Sequence, residues 1–323
     1  GLISFTVALI TIVTGIGFTL ILTRTLNPEE YGTWGLILGL ISYVAMSGVI
    51  ISFWATRETA RGIDSGKTAV LGNMLMSIGA IIVYIFIAYF MSDQTGSSQT
   101  SLLLSTILIP VIFLNGILTS INLGWKPHVV SYGNLFFGIS QTFLVFLLVF
   151  QMDLGLTGVI FSTFGSYVIS ILILFLYARS KISGPFIQSY LKKWFKLSWL
   201  PMYPSLPIII DGLGIAIFSI LTQSVIGLAF WTAALVIPSI IIHTGLISRG
   251  VYPKLLEGGN KSFLQNNISQ LFYFSFLMTG MVITFAKPAL FALNPIYESA
   301  FIIVIVLALR NFFIVFTNIS IQN

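Results

Sequence analysis

The sequence predicts an all-α polytopic membrane protein, and three observations carry that prediction. Charged residues make up 7% of the 323 and hydrophobic ones 57%, at a mean hydropathy of +1.01; a soluble domain carries about 25% charge and could not be covered with so little. Ten apolar stretches reach the roughly twenty residues that a crossing helix needs. Lysines and arginines collect in every second connection between those stretches.

The first span, Leu2 to Thr23, ends at Arg24; it is long enough to cross and lacks a small-residue cleavage site, so it is a span and not a cleavable signal. The second, Trp34 to Thr56, is followed by Arg57, Arg61 and Lys67. The third, Ala69 to Met91, leads into the short link Ser92 to Thr100. The fourth, Ser101 to Leu123, meets Lys126, and Asp153 separates the fifth, Gly133 to Met152, from the sixth, Leu154 to Ala178. Beyond a basic stretch come the seventh, Ser198 to Ile220, and the eighth, Ile226 to Ile247, which precedes Arg249, Lys254 and Lys261. The ninth, Ile268 to Ala286, meets Lys287, and the tenth is Ser299 to Ser320.

Twelve of the fifteen lysines and arginines follow even-numbered spans and two follow odd ones. The positive-inside rule therefore places the even connections and the N-terminus in the cytoplasm, for a multi-pass plasma or inner membrane protein. Outer connections are too short for a folded extracellular domain. The net charge of +6 reflects these retained cations and not a nucleic-acid surface. Absence of cysteine excludes disulfides and thiolate metal sites. With His128 and His243 far apart, no metal and no cofactor is expected, H+ or Na+ being the candidate coupling ions.

The basic stretch Arg179 to Leu197, RSKISGPFIQSYLKKWFKL, holds Arg179, Lys181, Lys192, Lys193 and Lys196. From Phe186 onward, at 100° per residue, Phe186, Ile187, Tyr190, Leu191, Trp194, Phe195 and Leu197 cover one half of a helical wheel and the lysines the other. Lysines opposite aromatics predict a helix lying among lipid headgroups. It divides the chain into a six-helix lobe, 1–178, a connector, 179–197, and a rear part, 198–323.

Leu22 to Ile37 reads LTRTLNPEEYGTWGLI, which resembles the pattern after the first helix of polysaccharide-transporter flippases, members of the multidrug/oligosaccharidyl-lipid/polysaccharide flippase superfamily. Leu191 to Trp231, a basic helix leading to a proline-bearing span with Asp211, and the NPIYESA segment from Asn294 to Ala300 resemble the same family. The resemblance implies two six-helix lobes, so this chain would hold the first and about four helices of the second, with at least two of the second lobe's helices missing. Ile21 to Arg24 before Trp34, echoed by Ile220 to Gln223 before Trp231, fits such a parallel repeat. It implies a monomeric, non-enzymatic flippase for lipid-linked oligosaccharide, working beside other polysaccharide-assembly proteins.

Arg310 is the sharpest single signal, because a charge at the middle of a span costs about 2.5 to 3.5 kcal/mol on insertion scales and should face protein or water. Arg310, Asn311, Thr317 and Asn318 share one stripe of the tenth span. A guanidinium there suits phosphate. Asp211, followed by Gly212 and Gly214, is its candidate partner, a proton carrier or a structural cap, and Pro201, Pro204 and Pro207 predict a kinked seventh span. Asn115 and Asn122, with Asn73 and Gln141, are intramembrane amides that either line the cavity or tie helices together. Arg57, Arg61 and Lys126 could collect an anionic headgroup at the cytoplasmic mouth, or serve as interfacial anchors. Gly62 to Thr68, GIDSGKT, ends like a phosphate loop but no soluble strand precedes it.

A cation-coupled drug exporter of the same superfamily would require carboxylates inside the first lobe, yet Glu29, Glu30, Glu58, Asp64, Asp93 and Asp153 fall in loops or at span ends. A polyprenyl-dependent glycosyltransferase or polymerase would require a larger outer loop, and a scaffold would not require Arg310.

Overall fold

The computed structural model describes residues 2–202, 206–244 and 261–322, without the side chains of 2–6, 8–9, 206–213, 243, 261–268 and 316–322. Every regular element among these residues is a helix. Six helices are long and apolar enough to cross a bilayer: Pro28–Ala60, Gly66–Thr95, Gln99–Trp125, Pro127–Gln151, Gly155–Ile182 and Pro295–Val315. Ser269–Thr284 and Ala286–Leu293 form a pair bent by 63°, while Ile10–Thr25 and Ile226–Ile242 are shorter apolar helices. With Leu206–Thr222, these fall on the ten predicted spans. Pro204, Arg249 and Lys254 lie outside the described residues.

The chain forms two compact units, Thr6–Ala229 and Phe230–Asn323 with Gly1–Phe5. In the larger unit the NPEEYG motif starts the second span. Asn27 accepts from the Glu30 amide at 2.8 Å, its own amide donates to Glu30 Oε2 at 3.3 Å, and Pro28 takes the first helical position. Glu30 also reaches sideways, its Oε1 accepting from the Leu156 amide at 3.4 Å where the sixth span begins. At Gly32 a Cβ would collide with the Val225 carbonyl, and at Gly39 it would press on Ile215. The motif therefore joins the starts of spans two and six to the link after the seventh span, and Gly39 farther along span two meets the seventh span itself.

Pro28–Ala60 has 33 residues, about 50 Å of helix, against roughly 30 Å of hydrocarbon. Its last turn carries Arg57 and Glu58. Here the connector helix docks. It spans Gln188–Lys196, preceded by extended Ile187, whose amide donates to Thr68 Oγ1 at 2.8 Å. Its predicted apolar half is divided. Trp194 is fully buried, and Tyr190 and Leu191 pack beside it against a cluster that includes Ile51, Ala55, Ala69 and Ala178, whereas Phe186 and Phe195 stay exposed. The helix expected to lie among headgroups also docks on the bundle, its indole entering a cluster that includes Ile51, Ala55, Ala69, Leu174 and Ala178.

Trp194 Nε1 donates to Glu58 Oε1 at 3.0 Å, and Lys193 Nζ stands 4.0 Å from the same oxygen. The indole bond decides the geometry, since Lys193 is 59% exposed and such a pair contributes little. A Cβ at Gly66 would collide with the Lys181 carbonyl, so the third span begins directly against the end of the sixth.

In the smaller unit, Asn311 Nδ2 donates to the Pro238 carbonyl at 2.9 Å, tying the tenth span to the break in the eighth. Thr244 and Ser275 share a hydroxyl bond of 2.8 Å between the eighth and ninth. The NPIYESA segment forms a 3-10 turn, with Asn294 Oδ1 accepting from the Ile296 amide at 3.1 Å and Tyr297 edge-on to Phe230.

Truncating Trp194→Ala should lower stability by about 3–5 kcal/mol. Glu58→Ala, which orphans the indole N–H, should cost about 1–3 kcal/mol, and Glu58→Gln less because an acceptor remains. Thermal unfolding in detergent ranks them; equal midpoints for wild type, Glu58→Ala and Glu58→Gln would show that the bond holds nothing.

Candidate functional site

The residues singled out by sequence fall in three places. At the basic end of the larger unit stand Arg57, Arg61 and Lys126. Arg57 is exposed and folded along its own helix, its guanidinium 3.4 Å from the Phe53 ring centre and its Nη1 donating to the Phe53 carbonyl at 3.3 Å. Arg61 is exposed at the helix C-cap. The fourth span is drawn onto the second at this end: a Cβ at Gly124 would collide with the Thr56 carbonyl, and Thr56 Oγ1 donates to the Ser120 carbonyl at 3.0 Å. Lys126 follows two residues later, so all three cations emerge at one end of the helix pair.

Lys126 Nζ lies 5.5 Å from the Trp125 ring centre and 5.9 Å from that of Tyr177. Lys181, which sequence reasoning counted but did not assign to the site, approaches Trp125 to 4.2 Å. The available signal was the one-turn spacing of Tyr177 and Lys181 on the sixth span.

The amides lie deeper. Asn122 is fully buried, and its Nδ2 donates to the carbonyls of Leu118 and Leu174, both at 2.9 Å. Asn115 Oδ1 accepts from Ser170 at 2.9 Å, and Asn73 Nδ2 donates to the Phe113 carbonyl at 2.7 Å. These bonds tie the fourth span to the sixth and third. Asn73 and Asn122 each keep a buried Oδ1 without a partner among the described residues. The same region adds the buried hydroxyls of Ser162, Thr163, Ser166 and Ser170 along the sixth span.

Carboxylates are placed differently. Glu29, Asp64, Asp93 and Asp153 are exposed, Glu30 is at a helix cap, and Glu58 lies under Trp194 near its helix end. Each lies at a helix end or in a link.

In the smaller unit Arg310 is half-buried and Asn311 is buried against the eighth span. Asp211 belongs to the larger unit, in Leu206–Thr222, and its side chain lies outside the described residues.

No protein-family model matches this sequence, and no curated protein matches it. Solved structures do. An inward-facing multidrug resistance MATE family transporter of the MOP superfamily has a TM-score of 0.64 at 14% identity, over 96% of this chain and 81% of its own. A MATE protein in the bent conformation gives 0.56 at 16% identity, over 96% and 76%. A MOP superfamily transporter from Pyrococcus furiosus gives 0.51 at 14%, over 99% and 94%. The fold is the MATE/MOP helical fold. At these identities the likeness is one of architecture, and the chemistry of the site rests on the residues of this chain.

Within that fold Asn122 is a joint between the fourth and sixth spans. Asn122→Ala should reduce stability by about 1 kcal/mol, the usual scale for interhelical amide bonds in bilayers, read as a lowered unfolding midpoint. A midpoint equal to wild type would remove the joint from the account of the fold.

Proposed function

We propose that this chain is a flippase that moves a lipid-linked oligosaccharide, joined to its polyprenyl carrier by phosphate or pyrophosphate, from the cytoplasmic to the outer leaflet for cell-surface glycan assembly. Two lobes, 1–178 and 198–323, would alternate access about the connector 179–197. Arg57, Arg61 and Lys126 receive the phosphate at the cytoplasmic mouth. Arg310, Asn311 and Asp211, with Asn115 and Asn122, serve the polar path through the membrane.

One observation carries this reading: among the described side chains, to which Asp211 does not belong, the middles of spans one to six offer amides and hydroxyls and no carboxylate, while cations gather at the basic end. A cationic cargo in a low-dielectric site requires an opposing carboxylate. A sugar instead requires neutral donors and acceptors, and its phosphate requires cations. The resemblance of LTRTLNPEEYG to the polysaccharide-transporter pattern supports the same cargo.

Export of drugs is the second reading, favoured by the multidrug resistance transporter among the structural neighbours. Proteoliposomes containing a fluorescent polyprenyl-pyrophosphate oligosaccharide separate the two. Time-dependent movement of the label across the bilayer is expected, and Arg310→Ala should slow it at least tenfold while the protein stays folded and inserted. Uptake of a cationic dye under a sodium or proton gradient, with no movement of the labelled lipid, replaces the flippase reading with the exporter. Full activity of Arg310→Ala removes that residue from the path.

A further inference from the structure

The fifth span, Pro127–Gln151, has two unlike faces. Wound at about 100° per residue, Phe136, Ile139 and Phe143 gather on one side, and all three are exposed, as side chains against lipid are. Asn134 and Gln141 lie about 180° from them, on the side that packs on the bundle. There Thr142 Oγ1 donates to the Thr14 carbonyl of the first span at 2.9 Å, and a Cβ at Gly138 would collide with the Thr14 hydroxyl. Phe137 lies 4.6 Å from Tyr167 of the sixth span, ring centre to ring centre. Asn134 falls between these two lines of contact and is nonetheless exposed. An opening therefore lies inside the bundle at its level.

The groups facing that opening are neutral. The Asn134 amide makes no hydrogen bond among the described residues, and Gln141 makes one, its Nε2 donating to Thr163 Oγ1 at 3.4 Å. Half-buried Tyr167 stands one turn along the sixth span from Thr163 and adds a ring and a hydroxyl. From Pro127 to Ile182 the one acidic residue is Asp153, in the link between the two spans. The donors and acceptor of an amide match neighbouring hydroxyls, and an aromatic ring suits the C–H face of a sugar. A phosphate or a cation would find no countercharge here. Lys126, the phosphate contact of the proposed function, is the N-cap of the same helix. Asn134 stands eight residues farther along it, about 12 Å, and Gln141 about 10 Å beyond that. A glycan whose phosphate rests on Lys126 would extend along this line.

We propose that Asn134, Gln141 and Tyr167 form the subsite for the sugars of the transported lipid. The proposal rests on the flippase reading and adds to it the place where the glycan is held.

The chain has no cysteine, so single introduced thiols report on each face. With purified protein in detergent, Asn134→Cys and Gln141→Cys should react with a water-soluble maleimide roughly tenfold faster than Phe136→Cys, because a thiol in apolar surroundings stays protonated. Polyprenyl-pyrophosphate oligosaccharide should slow the two fast reactions, and polyprenyl pyrophosphate without sugar should not. In proteoliposomes Asn134→Ala/Gln141→Ala should move the labelled oligosaccharide lipid roughly 25-fold more slowly than wild type, each lost neutral hydrogen bond being worth about fivefold. If that variant does not insert, Gln141→Ala alone should show the fivefold loss. Slow labelling of Asn134→Cys and Gln141→Cys, equal protection by the sugar-free lipid, or unchanged movement by the folded alanine variant overturns the subsite while the flippase reading stands. Labelling as expected with no movement of the lipid by wild type overturns the flippase reading, and the sugar assignment falls with it.

Discussion

Hydrocarbon supplies no hydrogen-bonding partner, so each polar group that enters the membrane must be satisfied by the chain itself, and the rest of this structure follows from how that is done. The backbone is satisfied within helices. Hydroxyls turn back onto their own helix, as Thr19 does to the Gly15 carbonyl and Ser166 to that of Ser162. Amides cannot be contained so cheaply and cross to a neighbour: Asn122 to Leu174, Asn73 to Phe113, Asn311 to Pro238. Each of these side chains fixes the depth at which two helices meet.

Apolar association between helices is weak in lipid, where tails are as apolar as leucine, so close approach depends on small residues. Gly32, Gly66 and Gly124 stand where a neighbouring carbonyl would strike a Cβ: those of Val225, Lys181 and Thr56. These contacts lie at helix ends, two on the basic end and one on the opposite end. The glycines thus set how the spans converge at their tips, and the amides set how they register along their lengths.

In spans one to six charge is expelled to the same tips. The connector helix shows the result, since its lysines stay exposed while Trp194 enters the bundle and uses its N–H on Glu58. A carboxylate that would be costly deeper in the membrane is here held at a helix end, beneath an indole and near a lysine. The connector is thereby fixed to spans two and three, and the basic end becomes a built surface. Lys126 and Lys181 share that surface across the ends of helices four and six.

The number and placing of the spans, and the gathering of cations at alternate connections, were legible in the sequence because they depend on local composition: twenty apolar residues form a helix in lipid whatever their neighbours. The cap at Asn27 was equally local. The amides were visible as polar residues in apolar runs, though whether they tie helices or line a path could not be read from one helix at a time. Tertiary structure alone decided which ends meet. It turned the connector's aromatic face inward, paired Trp194 with Glu58 across 136 residues of sequence, laid Gly32 on Val225, and brought Lys181 to the ring that Lys126 already shared. Such pairings depend on the angle at which distant helices cross, which is a property of their packing and not of any one stretch of chain.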